Sequence, residues 1–113
     1  MGGFTNIMPS RGWYEEAQTI AHGAILDAYA ELGTCTHPPR KRIINNFTDI
    51  DIWISFDGIV NHIAIPKGGH FVDDDATNGT VLPAHTTFYV KRFTAGVAPT
   101  SGSVVLSLGY MGV

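Results

Sequence analysis

The stretch Asp49-Ile50-Asp51-Ile52-Trp53-Ile54-Ser55-Phe56-Asp57-Gly58 decides the fold class. Ile50, Ile52, Ile54 and Phe56 alternate with Asp51, Trp53 and Ser55. Successive side chains of a strand point to opposite faces, so this alternation predicts a β-strand with one buried face. Asp57-Gly58 supplies a pair that tolerates positive φ and predicts a tight hairpin. The return strand then runs over residues 59–65 and is ended by Pro66 and the turn Lys67-Gly68-Gly69. Asp49 and Asp51 share the Trp53 face, with Arg40, Lys41 and Arg42 as candidate ion-pair partners.

The flanking sequence repeats the pattern. Phe71-Val72 begins a short strand that runs into Asp73-Asp74-Asp75, and Asn78-Gly79 is a second hairpin-type pair. From Thr86 to Phe93, Phe88 and Val90 alternate with Tyr89 and Lys91. A loop rich in Gly, Pro, Ser and Thr over residues 94–103 precedes an apolar strand from Val104 to Met111. Short strands separated by turn chemistry predict an all-β fold, a small antiparallel β-sandwich or jelly roll over residues 17–113. Within it, residues 17–32 fit two patterns. Ala17, Ile20, Ala21, Ala24, Ile25, Ala28 and Leu32 form a helical stripe, while Ile20, Ala24, Leu26, Ala28, Ala30 and Leu32 fit alternation. Gly23 and the lack of a clear cap count against the helix. Residues 1–16 have no period yet carry Phe4, Ile7, Met8, Trp13 and Tyr14. They read as an extended N-terminal arm whose apolar side chains lie on a protein surface rather than in water.

A chain of 113 residues is one domain. With 44% apolar and 15% charged residues it has a globular rather than a disordered composition. Thirteen Gly and six Pro favour turns and short strands over long helices. A net charge of -3 argues against nucleic acid as the main partner. No segment approaches the length of an apolar membrane span, and residues 1–16 lack the basic and apolar runs of a secretory signal. The single cysteine, Cys35, forms no internal disulfide, so packing and hydrogen bonds hold the fold. His37 would share its face on an extended chain, but a spectator thiol is the preferred reading over a catalytic one.

Four phrases carry a resemblance: Arg42-Ile43-Ile44-Asn45-Asn46-Phe47-Thr48-Asp49 with its "NNxTD", "ISFDG" over residues 54–58 with Asn61-His62, "YVK" over 89–91, and "TSGSV" over 100–104. Across residues 17–113 the chain resembles a group of small β-rich proteins encoded among the virion genes of tailed bacteriophages. The resemblance implies a structural protein of the particle, stationed at the head, neck, tail or fibre base. It also implies extended chain for the stretch matching residues 18–33. The chain departs from the group in its longer aromatic arm and in Pro38-Pro39.

Candidate chemistry is sparse. His62 and His70 bracket Pro66 and Gly68 in a way faintly similar to a cupin, yet the paired His-x-His and following Glu of such a site are missing. No metal and no cofactor are expected. Asp73-Asp74-Asp75 has two open readings, a solvated loop and a Ca²⁺ site, although it lacks the spacing of a calcium loop. Asp49, Asp51 and Asp57 offer carboxylates for acid–base work, but a sandwich of this size has little room to wall a cleft between two of them. No nucleophile elbow, P-loop or dinucleotide fingerprint occurs, and no enzymatic activity is expected. The sequons Asn46-Phe47-Thr48 and Asn78-Gly79-Thr80 read as chance. Trp53 and Tyr89 are candidate partner-binding rings, packed on a second sheet or a neighbouring subunit, with stacking on sugars as the alternative.

Every acidic residue lies at or before Asp75, and Lys91 and Arg92 are the only charges after it. The segment Val104-Val105-Leu106-Ser107-Leu108 is therefore an aggregation hazard as an open edge, and a symmetric assembly covers such edges with a neighbour. These observations predict a non-enzymatic structural protein of a tailed-phage virion. It is expected to bind other capsid, neck or tail subunits as part of a homo-oligomer, without nucleic acid or membrane. Its predicted contact residues are Phe4, Ile7, Met8, Trp13, Tyr14, Trp53 and Tyr89. The alternative is a carbohydrate-binding module on a tail fibre or spike, and a metal-dependent cupin-like enzyme is a third reading.

Overall fold

The computed structural model describes residues 11–74 and 82–112. They form nine strands: β1 Arg11–Tyr14, β2 Gln18–Ala21, β3 Ala30–Thr34, β4 Lys41–Asn46, β5 Ile52–Ser55, β6 Ile63–Ile65, β7 His70–Asp74, β8 Thr87–Arg92 and β9 Ser103–Gly112. All pairings are antiparallel. One sheet has the order β2-β9-β4-β7, with β1 pairing farther along the same edge of β9, and the other has the order β3-β8-β5-β6. From β2 onward every connection crosses between the sheets except β5 to β6. The interleaving of β2 to β9, four strands in each sheet with β1 as a fifth on the first, is the jelly roll, one of the two all-β architectures expected.

The core lies between the sheets. Ile20, Ile44, Val104, Leu106 and Leu108 from the first sheet meet Leu32, Ile52, Ile54, Ile65, Phe88 and Val90 from the second. The period-two pattern of β5, β8 and β9 thus becomes burial, at about 25 cal/mol for each Å² of apolar surface removed from water. Phe56 stands edge-on to Phe88 with ring centroids 5.4 Å apart and extends the core past the end of β5.

The ambiguous residues 17–32 resolve as β2, a single 3-10 turn over His22–Ala24 and the start of β3. Ile20 and Leu32 reach the core from separate sheets, while Ile25 is buried between them. Gly23 lies in the 3-10 turn, where the helical stripe would need a strong helix former. The seam between the sheets here is closed by a side chain. Gln18 Nε2 donates to the Thr34 carbonyl at 3.0 Å, and Gln18 Oε1 accepts the Thr34 amide at 3.0 Å. The Gln18 amide therefore replaces a ladder partner for β3, whose register shifts between Glu31 and Gly33.

Several expectations are corrected. Asp57-Gly58 does not make a tight hairpin, because Ile54 pairs with Ile63 and residues 56–62 form a loop. The Asp57 carboxylate and Ser55 hydroxyl take amides that a continuing ladder would need. Nor is β9 an edge, since β1 and β2 pair on one side of it and β4 on the other. Its apolar run is covered by its own chain. Arg42 does not pair with Asp49 or Asp51. It is fully buried and donates to Asp73, so Asp73 belongs to an internal ion pair rather than to a solvated acidic loop. Asp75 lies outside the described residues.

Candidate functional site

The phrases that carry the resemblance meet in pairs. The Asn46 side chain is fully buried at the end of β4. Its Nδ2 donates to the carbonyls of Ile50 at 2.9 Å and Pro66 at 3.1 Å, and its Oδ1 accepts the Thr48 amide at 3.0 Å and the Thr48 hydroxyl at 2.6 Å. A buried amide satisfied in this way fixes the crossing from one sheet to the other. It also leaves no room for a glycan on Asn46. Asp49 accepts the Thr100 hydroxyl and the Thr100 amide, the latter at 2.9 Å, and these bonds, led by the hydroxyl, lower its pKa. The Phe47 amide donates to the Ser103 carbonyl at 2.9 Å. "NNxTD" and "TSGSV" are thus one corner of the framework.

"ISFDG" and "YVK" meet on the outer face of the second sheet. Ser55 pairs with Tyr89 and Trp53 with Lys91 across β5 and β8. The loop 56–62 folds back over this face, bringing Gly58, at φ +76°, against the Tyr89 ring. Trp53 stacks on Phe93 with centroids 4.7 Å apart. Lys91 Nζ lies 4.7 Å above the Tyr29 ring, whose hydroxyl donates to Asn61 Oδ1 at 2.6 Å. Burial and the Asp57 charge together raise the Tyr29 pKa.

The loop has a rigid base and an apolar tip. Asp57 Oδ1 accepts the Ile59 amide at 2.8 Å, the Val60 amide at 3.0 Å and the Ser55 hydroxyl at 2.9 Å. Those bonds, led by the two amides, lower the Asp57 pKa to about 2. His62 Nδ1 accepts the Phe56 amide at 3.1 Å, and its ring stacks on Phe56. On this scaffold Ile59 is 80% exposed and Val60 50% exposed. An isolated exposed apolar residue is ordinary, but two adjacent ones on a braced loop form a small preorganised apolar surface. Sequence reading missed Ile59 and Val60 because both were assigned to a strand. The signal available was their failure to alternate with a polar partner.

Trp53 and Tyr89 therefore share the outer face of the second sheet, turned away from the first. Trp13 and Tyr14 lie on β1, 45% and 59% exposed, at the edge of the other sheet. The structure does not bring these two pairs together. Phe4, Ile7 and Met8 lie outside the described residues. Between β1 and β2, Glu15 accepts the backbone amides of Thr36 and His37 and contacts His37 Nδ1 at 3.1 Å. Burial alone would raise the Glu15 pKa, but these bonds outweigh it and lower it. The His37 ring stacks on Tyr110 at 3.8 Å beside a cleft of about 420 Å³. Cys35 is buried and contacts the Pro83 carbonyl, so its thiol and His37 have separate partners.

His62 belongs to the loop after β5, whereas His70 is on β7 in the other sheet. Among the described residues no three His, Cys, Asp or Glu side chains converge as metal ligands. A second cleft, of about 190 Å³, opens at the start of β5 beside Asp51, Lys67, Phe93 and Val97. No helix among the described residues is long and apolar enough to cross a membrane. No protein-family model matches the chain, and no curated protein matches it.

Proposed function

We propose that this chain is a non-enzymatic structural protein of a tailed-bacteriophage virion, which binds neighbouring capsid, neck or tail subunits within a symmetric oligomer. The jelly roll serves virion subunits, lectins and cupins alike, so the fold by itself does not choose among them. The observation that carries the reading is the Ile59-Val60 tip, an exposed apolar pair held by the Asp57 carboxylate. Such a tip loses little conformational freedom when a protein surface covers it, which suits a joint between subunits. The resemblance in sequence supplies the virion as the setting.

The sugar-binding alternative needs open ring faces. Gly58 packs on Tyr89, and Phe93 covers one face of Trp53. Those contacts favour the structural reading over a stacking platform. Mass spectrometry of purified particles produced from the genome encoding this chain tests the proposal. The chain is expected in many copies per particle, and its absence from washed particles would overturn the reading. Binding of the purified chain to a glycan array, with its loss in Trp53→Ala, would instead establish the alternative.

A further inference from the structure

Among the described residues β7 pairs on one side only, with β4, and its five residues keep register throughout. The other outer edges are less regular. β6 has three residues, β3 shifts register and holds the Gln18 amide at Thr34, and β1 and β2 are separate four-residue pieces. Open edges are usually guarded by Pro, Lys, a bulge or an inward charge. β7 has none of the first three, and its inward charge, Asp73, is engaged by Arg42.

The direction of the β7 backbone follows from one hydrogen bond. The Asn46 amide donates to the Gly69 carbonyl at 2.9 Å, which makes these residues a hydrogen-bonded pair at the end of the β4–β7 ladder. Bonded and non-bonded pairs alternate along antiparallel strands. Phe71 and Asp73 therefore turn their N–H and C=O groups toward β4, while His70, Val72 and Asp74 turn theirs away from the sheet. The side chains of the same three residues share the outer face, opposite the buried Asp73. Val72 is 48% exposed there and stands beside Ile43 of β4.

We propose that β7 of one copy pairs antiparallel with β7 of a second copy about a two-fold axis at Val72, joining their first sheets into one. The edge is complementary to itself. In this register the two Val72 residues exchange backbone hydrogen bonds, and at each end the His70 imidazole of one copy faces the Asp74 carboxylate of the other. Ile43 and Val72 of both copies then form one apolar stripe across the joint. An axis one residue to either side sets Val72 against a polar side chain and loses the His70–Asp74 pairs, and an axis at Asp74 sets acid against acid. The resulting interface is isologous. This inference supplies the contact and the symmetry of the oligomer proposed above, and it rests on that oligomeric reading. Five residues a side make less than a standard stable interface, so the free dimer is weak and the multiplicity of a particle reinforces it.

The test is sedimentation of the full chain up to millimolar concentration, with amide hydrogen exchange followed over the same range. The Val72 amide is expected to exchange more slowly as the dimer fills, whereas the Phe71 amide, turned toward β4, is protected at every concentration. Val72→Pro removes an outward N–H and leaves the β4 ladder its donors, so it is expected to weaken the dimer roughly tenfold or more. His70→Asp sets acid against acid at both ends and is expected to weaken it roughly fivefold or more. It also carries the test if Val72→Pro alters the circular dichroism of the monomer. Self-association with an unprotected Val72 amide, or with no weakening in His70→Asp, overturns the proposal. A chain present in particles yet monomeric at millimolar concentration overturns it as well and leaves the virion setting in place. Dimerisation through β7 by a chain absent from washed particles upholds the pairing and removes the virion setting.

Discussion

Arg42 on β4 and Asp73 on β7 face each other across the sheet and point into the sandwich, where Nη2 and Nε of the guanidinium donate to Asp73 Oδ2 at 2.6 and 3.1 Å. Nη1 donates to the Pro39 carbonyl at 2.8 Å. The Arg42 side chain is fully enclosed and that of Asp73 is 9% exposed. Both charges have left water, so each depends on the other. Asp73→Ala is expected to cost about 3–5 kcal/mol of unfolding free energy in a urea titration, because it takes two charge-assisted hydrogen bonds from a buried cation. Replacing both residues with apolar ones of similar volume is expected to cost much less. A loss in the double variant equal to that of Asp73→Ala would show that the cost does not come from the buried charge of Arg42.

Gly33 leaves room for Gln18. A Cβ at position 33 would fall 2.6 Å from Gln18 Oε1 and 2.8 Å from Cδ. Gly33→Ala is therefore expected to displace the Gln18 amide from Thr34 and destabilise the protein by about 1 kcal/mol, the cost of losing a half-buried hydrogen-bond pair. In a Gln18→Ala background the same change is expected to cost clearly less. A double-mutant cycle by denaturation reads this coupling, and additivity would refute it.

Gly102 has φ +88°, and a Cβ there would lie 2.0 Å from the Phe47 carbonyl oxygen. Backbone on both sides of the clash cannot yield as a flexible side chain does. Gly102→Ala is expected to destabilise by about 3 kcal/mol or more, lowering the thermal midpoint. Gly23→Ala serves as the contrast, since nothing lies within 4 Å of its Cβ position, and it should leave stability nearly unchanged.

The brace under the tip is acid-sensitive. The Asp57 pKa falls from 3.8 to about 2 on folding. Its stabilising contribution is then complete above the unfolded value and is lost as the pH falls through the folded value. The amides of Ile59 and Val60 are expected to lose their hydrogen-bonded chemical shifts as the pH falls from about 3 to about 1, with a midpoint near 2. Asp57→Ala should give the low-pH spectrum of the tip at neutral pH while the core signals stay in place. A midpoint near the ordinary carboxylate value would remove the brace.

The sequence by itself determined the class of fold. Alternation in residues 50–56 and 86–93 selects strands with one apolar face, because side chains in a strand repeat every two residues, and the apolar run 104–111 adds a further strand. It did not determine which edges are free or which charges pair. Asp73 stands in a run of three acids that resembles a solvated loop, and only the pairing of β7 with β4 turns it inward toward Arg42. The run from Val104 to Leu108 reads as an open edge until β2 and β4 bracket it. The exposed tip was likewise hidden, since Ser55 and Asp57 redirect the chain through hydrogen bonds that hydrophobic patterning does not register. Periodicity reports which way a side chain points relative to its own strand. Partners brought together from distant parts of the chain, such as Gln18 with Thr34 or Asp49 with Thr100, exist only once the sheets have stacked.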